Sequence, residues 1–232
     1  MNALWITRMS NYKNSSICIE TARQVVAIKI EREVSLLKKY RRSILATKIR
    51  NKSSIAEILL EEARMAKQFW REFGKLLYPK IVFLNRKPKS VDAVNHLLDV
   101  GYHHLTNVVK KILNKYNIPM DLGIFHIARN SNSQPLAYDL VEMFRSDIVD
   151  AEVLTFLRLK KKKPEKIDNQ ISHFLYEINK RLDKEFYLKD FNRCHKYKYY
   201  MEVQILKFIK AINHKQVFTP IILPRRHENR CS

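Results

Sequence analysis

Only three glycines, Gly74, Gly101 and Gly123, occur in the 232 residues of this chain. Glycine is the residue that turns a chain through positive φ without steric penalty, so its scarcity limits how often the backbone can reverse. An all-β sandwich or barrel needs a turn roughly every 8–12 residues and would be short of turn residues here. The same scarcity removes the Gly-rich phosphate loop, the G-x-G-x-x-G dinucleotide fingerprint and the G-x-S-x-G nucleophile elbow. A composition that is 46% hydrophobic and 29% charged is that of a folded protein. The length fits one globular domain, or one plus a small appendage. The expectation is an all-α, multi-helix fold.

Charge points to the partner. Forty-four Lys and Arg stand against 23 Asp and Glu, a formal net charge of +21. An excess of that size implies an anionic partner, most often nucleic acid. The cysteines, Cys18, Cys194 and Cys231, are odd in number and far apart, so no disulfide framework is implied. Cys194-His195 lacks any C-x-x-C spacing, which argues against structural zinc. No apolar run approaches the roughly 18 residues of a membrane-spanning helix, and no signal-peptide core opens the chain. The chain reads as cytoplasmic, with no membrane partner.

Periodicity divides the chain into a short N-terminal segment (1–19), polar and aperiodic and read as a remnant or disordered, a helical domain (20–215) and a C-terminal tail (216–232). Val26, Ile30, Val34 and Leu37 mark a first helix from near Glu20, ending in Lys38, Lys39, Arg41 and Arg42. Further helices are predicted over about 54–77 and 90–116, and from Pro135, with Leu136, Leu140 and Phe144 four apart. A charge run at Lys160–Lys163 reads as a loop. Two more helices follow, one carrying Ile167, Ile171, Phe174, Ile178 and Leu182, the other covering about 195–212.

Three segments place metal-competent side chains on or beside helices: Glu61-Glu62, His126, and the pair Asp139 and Glu142. Residues 139 and 142 are three apart, so both carboxylates project from one face of a helical turn. Two such anions repel unless a cation or an arginine sits between them. Carboxylates with one imidazole suit Mg²⁺ or Mn²⁺, and a metal so held polarises a phosphodiester and stabilises a leaving oxyanion. Each feature also has an ordinary structural reading: a solvated helix face for the glutamates, a packed or capping histidine, and a salt-bridge partner for Arg145.

In order along the chain, these segments match a family pattern. Glu62-Ala63-Arg64-Met65-Ala66-Lys67-Gln68-Phe69-Trp70 follows E-G-x-x-A-x-x-Y-W, with Ala63 in place of glycine. The stretch Arg86 to Tyr102, with Pro88, Asp92, Asn95, Leu97, Leu98 and Gly101, follows R-x-x-P-x-D-x-x-N-x-L-L-x-x-G-Y with the proline one place early. Gly123-Ile124-Phe125-His126 follows a G-F-x-H element with the aromatic shifted by one place. Pro135-Leu136-Ala137-Tyr138-Asp139-Leu140-Val141-Glu142-Met143-Phe144-Arg145 follows S-L-x-x-D-L-x-E-x-F-R with Pro135 in the place of serine, and Asp150 comes after it. Upstream, Lys29-Ile30 and Leu36-Leu37 resemble a K-I-x-N-Q-x-x-L-L-x-R helix in which Arg32-Glu33 replaces Asn-Gln. Gln204 and Pro220 resemble the last helix and its Y-x-P sequel.

The chain, from about residue 20 to 224, thus resembles the CRISPR-associated protein one (Cas-one) family, the endonuclease/integrase that inserts new spacers into CRISPR arrays. The resemblance implies divalent metal, Mg²⁺ or Mn²⁺, held by Glu62, His126 and Glu142, with Asp139 as a further acidic residue of the site. It implies double-stranded and branched DNA as substrate, and a homodimer working with a small ferredoxin-like CRISPR-associated protein. The family's fold sets an N-terminal β-domain before the helical catalytic domain. Here only about 20 residues precede the helices, so the expectation is that the β-domain is largely missing. Lysines and arginines of the 38–52 and 86–89 segments are expected to track phosphates without reading sequence. The competing class is a relative that binds DNA through its basic surface without turning it over.

Overall fold

The computed structural model describes residues 3–45, 49–128, 130, 132–159, 168–222 and 231. The expected Lys160–Lys163 loop, Ile167 and most of the tail beyond Ile222 lie outside the described residues. Eight α-helices appear among the described residues: α1 (Ala3–Lys13), α2 (Ser16–Lys38), α3 (Ile55–Leu77), α4 (Ala93–Lys115), α5 (Pro135–Val141), α6 (Ala151–Leu154), α7 (Ile171–Asp183) and α8 (Tyr197–Asn213). The all-α expectation holds for the body of the fold, with one addition. A two-stranded antiparallel hairpin, β1 (Glu185–Leu188) and β2 (Arg193–Lys196), pairs Phe186 with His195 and Tyr187 with Cys194. Asn192 turns it at φ 50°, in the left-handed region that asparagine tolerates better than most residues. The last helix therefore starts at Tyr197, after the strand that holds His195.

Local chemistry explains most helix starts. Ser54 caps α3 by accepting from the Glu57 amide at 3.2 Å, and Glu57 reaches back to the Ser53 amide at 2.9 Å. Asp92 caps α4 by accepting from the Asn95 amide at 2.9 Å. Pro135 takes the first turn of α5, where a missing N–H costs nothing. The helix expected to run on from Pro135 is interrupted. α5 stops at Val141, the chain turns, and wide π-type turns at 146–150 and 155–159 flank α6. Such turns shift the register of side chains and recur at functional sites.

The N-terminal segment departs from expectation. Residues 3–13 form α1, with Trp5, Met9 and Tyr12 buried. Those three stand at i, i+4 and i+7, a helical stripe too short to register against the polar residues around it. Tyr12 donates to the Gln216 carbonyl at 2.9 Å, and the Phe218 amide donates to Thr21 Oγ1 of α2 at 3.1 Å. Part of the tail is thus ordered against the first two helices. Its tie to α8 runs through Gln204, whose Oε1 accepts from the Ile221 amide at 2.8 Å.

The core is continuous, built from α2, α3, α4, α7 and α8 around the 136–157 segment. Gly101 sits mid-helix in α4 because a Cβ there would lie 2.5 Å from Val149 Cγ1. The glycine lets the π-type turn 146–150 approach α4 closely.

The cysteines correct the sequence reading. Cys194 and Cys231 form a disulfide, with Cα atoms 6.0 Å apart and 37 positions between them in sequence. Cys18 is the free, buried thiol, and burial pushes its pKa up to about 11. Among the described residues no helix is long and apolar enough to cross a membrane.

Candidate metal centre

Asp139, buried in α5, organises the site. Its carboxylate accepts four hydrogen bonds: from the amides of Ile124, Phe125 (3.2 Å) and His126 (3.0 Å), and from His126 Nδ1 at 2.7 Å. Three successive backbone N–H groups pointing inward form an anion cradle, and an imidazole completes it. Gly123 makes room, because a Cβ there would lie 2.6 Å from Asp139 Oδ2 and 2.9 Å from Pro135 Cβ. With Asp139 accepting, Nδ1 carries the proton and Nε2 keeps its lone pair in the neutral ring. The Asp139 hydrogen bond raises the pKa of His126 above its ordinary value, working against partial burial. The His126 side chain remains about half exposed, at 47%.

Glu142, three residues on, points elsewhere. The common helical face expected for positions 139 and 142 is not used as a shared ligand face. Glu142 is ion-paired with Arg145 through Oε1, and its Oε2 lies 2.7 Å from the Lys29 ammonium of α2. The same ammonium is ion-paired with Glu62 of α3. Lys29 therefore bridges the two carboxylates that the sequence pattern assigns to a metal. Burial opposes ionising Glu142, yet Arg145 and Lys29 outweigh it and hold the carboxyl down at about 2. Burial also opposes the charge on Lys29, and Glu142, Glu33 and Glu62 outweigh it, so that its pKa is raised. Sequence expected a cation or an arginine between acidic groups; the fold supplies both.

Further charges close the cluster. Arg145 lies 3.7 Å from the centroid of the Tyr102 ring, a close cation–π contact. The Tyr102 hydroxyl donates to Asp150 Oδ1, and Ser146 donates to Asp150 Oδ2 at 2.9 Å. Glu33, one helical turn after Lys29, is 3% exposed, and its Oε2 is buried without a hydrogen-bond partner. Burial pushes Glu33 up to about 8, against the pull of Lys29. Four carboxyl groups, Glu33, Glu62, Glu142 and Asp150, face Lys29 and Arg145.

The four residues singled out from sequence are thus gathered around α2, α3 and the 123–145 segment. Among the described residues, no three His, Cys, Asp or Glu side chains converge as a metal-ligand group. What converges is Glu62 and Glu142 on Lys29, and His126 on Asp139. Glu61 is turned away, buried against Lys52 at 3.6 Å and Arg64 at 3.3 Å. Ala63 is exposed, so alanine in place of the pattern's glycine meets no close packing.

The expectation for Arg86 is corrected. Its side chain is mostly buried, ion-paired with Asp99, bonded to Asn95 Oδ1 at 2.9 Å and set 5.4 Å from the Tyr102 ring centroid. The block from Arg86 through Asp92 and Asn95 ties the 85–92 loop to the start of α4, leaving the Lys87 and Lys89 side chains exposed. Lys38, Lys39, Arg41 and Arg42 are also exposed. Sequence reasoning missed Lys29, Glu33 and Tyr102 as members of the site. The available signal was the i,i+4 pair Lys29 and Glu33 beside the apolar stripe of α2.

Comparison with known proteins follows from this geometry. Residues 2–189 match the family described as CRISPR associated protein Cas1. The CRISPR-associated endonuclease Cas1 1 of Saccharolobus solfataricus is 25% identical over 169 residues, covering 67% of this chain and 47% of that protein. The chain thus spans about half the length of this curated relative. Among solved structures, a casposase bound to integration product aligns with a TM-score of 0.83 at 19% identity, over 100% of this chain and 71% of the other. A CAS1 protein from Thermotoga maritima aligns with a TM-score of 0.77 at 19% identity, over 94% and 73%. A Cas6-RT-Cas1–Cas2 complex aligns at 0.75 and 17% identity, over 96% and 27%. At these identities the solved structures establish the fold.

Proposed function

The chain belongs to the CRISPR-associated Cas1 family, and from that premise we propose that it is a divalent-metal-dependent DNA endonuclease and integrase acting in spacer acquisition. The observation that carries the reading is the pair Glu62 and Glu142, from different helices, close enough to share one ammonium beside an imidazole fixed by Asp139. This donor set fits a hard or borderline divalent cation: two carboxylates and one neutral ring nitrogen. Glu62, Glu142 and His126 Nε2 would hold Mg²⁺ or Mn²⁺, which when bound supplies Lewis-acid polarisation of a phosphodiester. The protein's own part is orientation. Asp139 sets the tautomer and direction of His126, and Arg145 holds Glu142 ionised and in place. Exposed Lys38, Lys39, Lys87 and Lys89 would grip the backbone of double-stranded or branched DNA.

The proposal extends to the family's assembly: a second copy of the chain and a small ferredoxin-like CRISPR-associated protein, acting in the cytoplasm. A second reading, a relative that binds DNA without turning it over, draws on Lys29, which already neutralises both carboxylates. One assay separates them. Incubation with branched DNA and Mn²⁺ is expected to yield cleaved or strand-transfer products that His126→Ala abolishes. Salt-sensitive DNA binding without product, or product unchanged in His126→Ala, overturns the catalytic reading.

A further inference from the structure

Lys29 occupies the position between Glu62 and Glu142 that a bridging cation would take. Both oxygens of Glu142 are engaged by positive groups, Oε1 by Arg145 and Oε2 by Lys29. A divalent ion arriving there meets two resident cations, and Coulomb repulsion at such range in a buried site is large. One of them must yield. Arg145 is held by Glu142 and by its contact with the Tyr102 ring, and its planar guanidinium moves as a rigid unit. Lys29 has a flexible four-carbon stem. A destination for it exists on its own helix: Glu33 stands at i+4, on the same face of α2. Glu33 is 97% buried, and its Oε2 has no hydrogen-bond partner. A buried carboxyl oxygen without a partner is costly, and a donor brought to it would recover that cost.

We infer that Lys29 is an exchangeable counter-cation: it bridges Glu62 and Glu142 as seen here and would swing to Glu33 when those carboxylates hold a divalent ion. Lys29 and Glu33 are then positioning residues that set metal affinity through each other. The inference rests on the metal-binding reading above. It goes beyond that reading by assigning Glu33, which replaces the glutamine of the family pattern, a role as the acceptor for a displaced ammonium.

The test is a double-mutant cycle on the full chain, with Mn²⁺ binding followed by titration calorimetry and by the loss of the free-ion electron-spin-resonance signal. Glu33→Gln keeps shape but removes the carboxyl oxygen that would receive the ammonium, and it is expected to weaken Mn²⁺ binding about tenfold, the usual scale of coupling between sites. Lys29→Met removes the competing ammonium, and adding Glu33→Gln to it is expected to change affinity by less than about twofold. Equal losses in both backgrounds, or none in either, overturn the exchange. Wild-type protein that binds no Mn²⁺ overturns the metal-binding reading and the exchange with it. If Lys29→Met fails to fold, the ¹⁵N signal of the Lys29 ammonium decides during Mg²⁺ titration. It is expected to shift to a new protected position in wild type and to lose protection in Glu33→Gln. A signal that stays put in both overturns the proposal.

Discussion

Asp139 ties a loop and an imidazole to one carboxylate, so the two cannot be perturbed separately. Asparagine at 139 would present an amide N–H₂ to a cradle made of donors. Asp139→Asn is expected to lower Mn²⁺-dependent turnover about 10- to 100-fold, the range for losing an outer-shell partner of a ligating histidine. Retained metal-dependent turnover at the wild-type rate would remove Asp139 from this role. Two other carboxyls set the response to pH in the absence of metal. Glu33 is raised to about 8, so the stability from burying its neutral form is complete below the ordinary carboxyl range and drains away as pH climbs towards 8. Glu142 is lowered to about 2, so its contribution is present above the ordinary range and fades as pH falls towards 2. Thermal unfolding midpoints measured at pH 6 and pH 9 are expected to decline in wild type, and Glu33→Gln should flatten that decline; an identical decline in both would refute the assignment. At this scale the gathering of Glu62, His126, Asp139 and Glu142 in one region was legible because their motifs follow one another in a fixed order. Lys29 and Glu33 were not, since an isolated lysine and glutamate on a helix read as solvent-facing until the tertiary fold brings other charges onto them. Arg86 misled in the opposite sense, because a basic residue beside lysines gives no sign of an ion-pair partner 13 positions later.

Helices with strong caps were the most legible elements. Ser54 and Asp92 announce α3 and α4 to within a few residues, since the capping side chain and the apolar periodicity agree. α1 and the hairpin β1–β2 escaped because each is too short for periodicity to outweigh its polar residues. The interruption after α5 escaped for another reason: Leu136, Leu140 and Phe144 keep helical spacing although the backbone does not keep an α-helical ladder. The close approach of α4 to the 146–150 turn is testable at Gly101. Gly101→Ala would push a methyl against Val149 Cγ1 and is expected to cost about 1–3 kcal/mol, as overpacking does. Denaturant unfolding should show that loss, and Val149→Ala in the same chain should recover part of it; no recovery would place the strain elsewhere.

For the whole molecule, the charge of +21 is spread over exposed Lys and Arg while the site itself carries an excess of carboxylates over cations. DNA affinity should therefore come from the surface and respond to salt as counterion release requires. Raising salt from 50 to 200 mM is expected to weaken binding to an unrelated duplex by about two or more orders of magnitude, read from fluorescence anisotropy. A flat salt dependence would rule out a backbone-dominated interface. The ends of the described fold carry a different consequence. The buried face of α1 lies against the α8 region, with Arg8 bonded to Asn213 at 3.1 Å and Tyr12 to the Gln216 carbonyl at 2.9 Å. Those partners stand 205 and 204 positions further along the chain. Trp5, Met9 and Tyr12 therefore anchor a contact that closes a loop of almost the whole described fold, and the entropy of closing that loop is recovered only by what they bury.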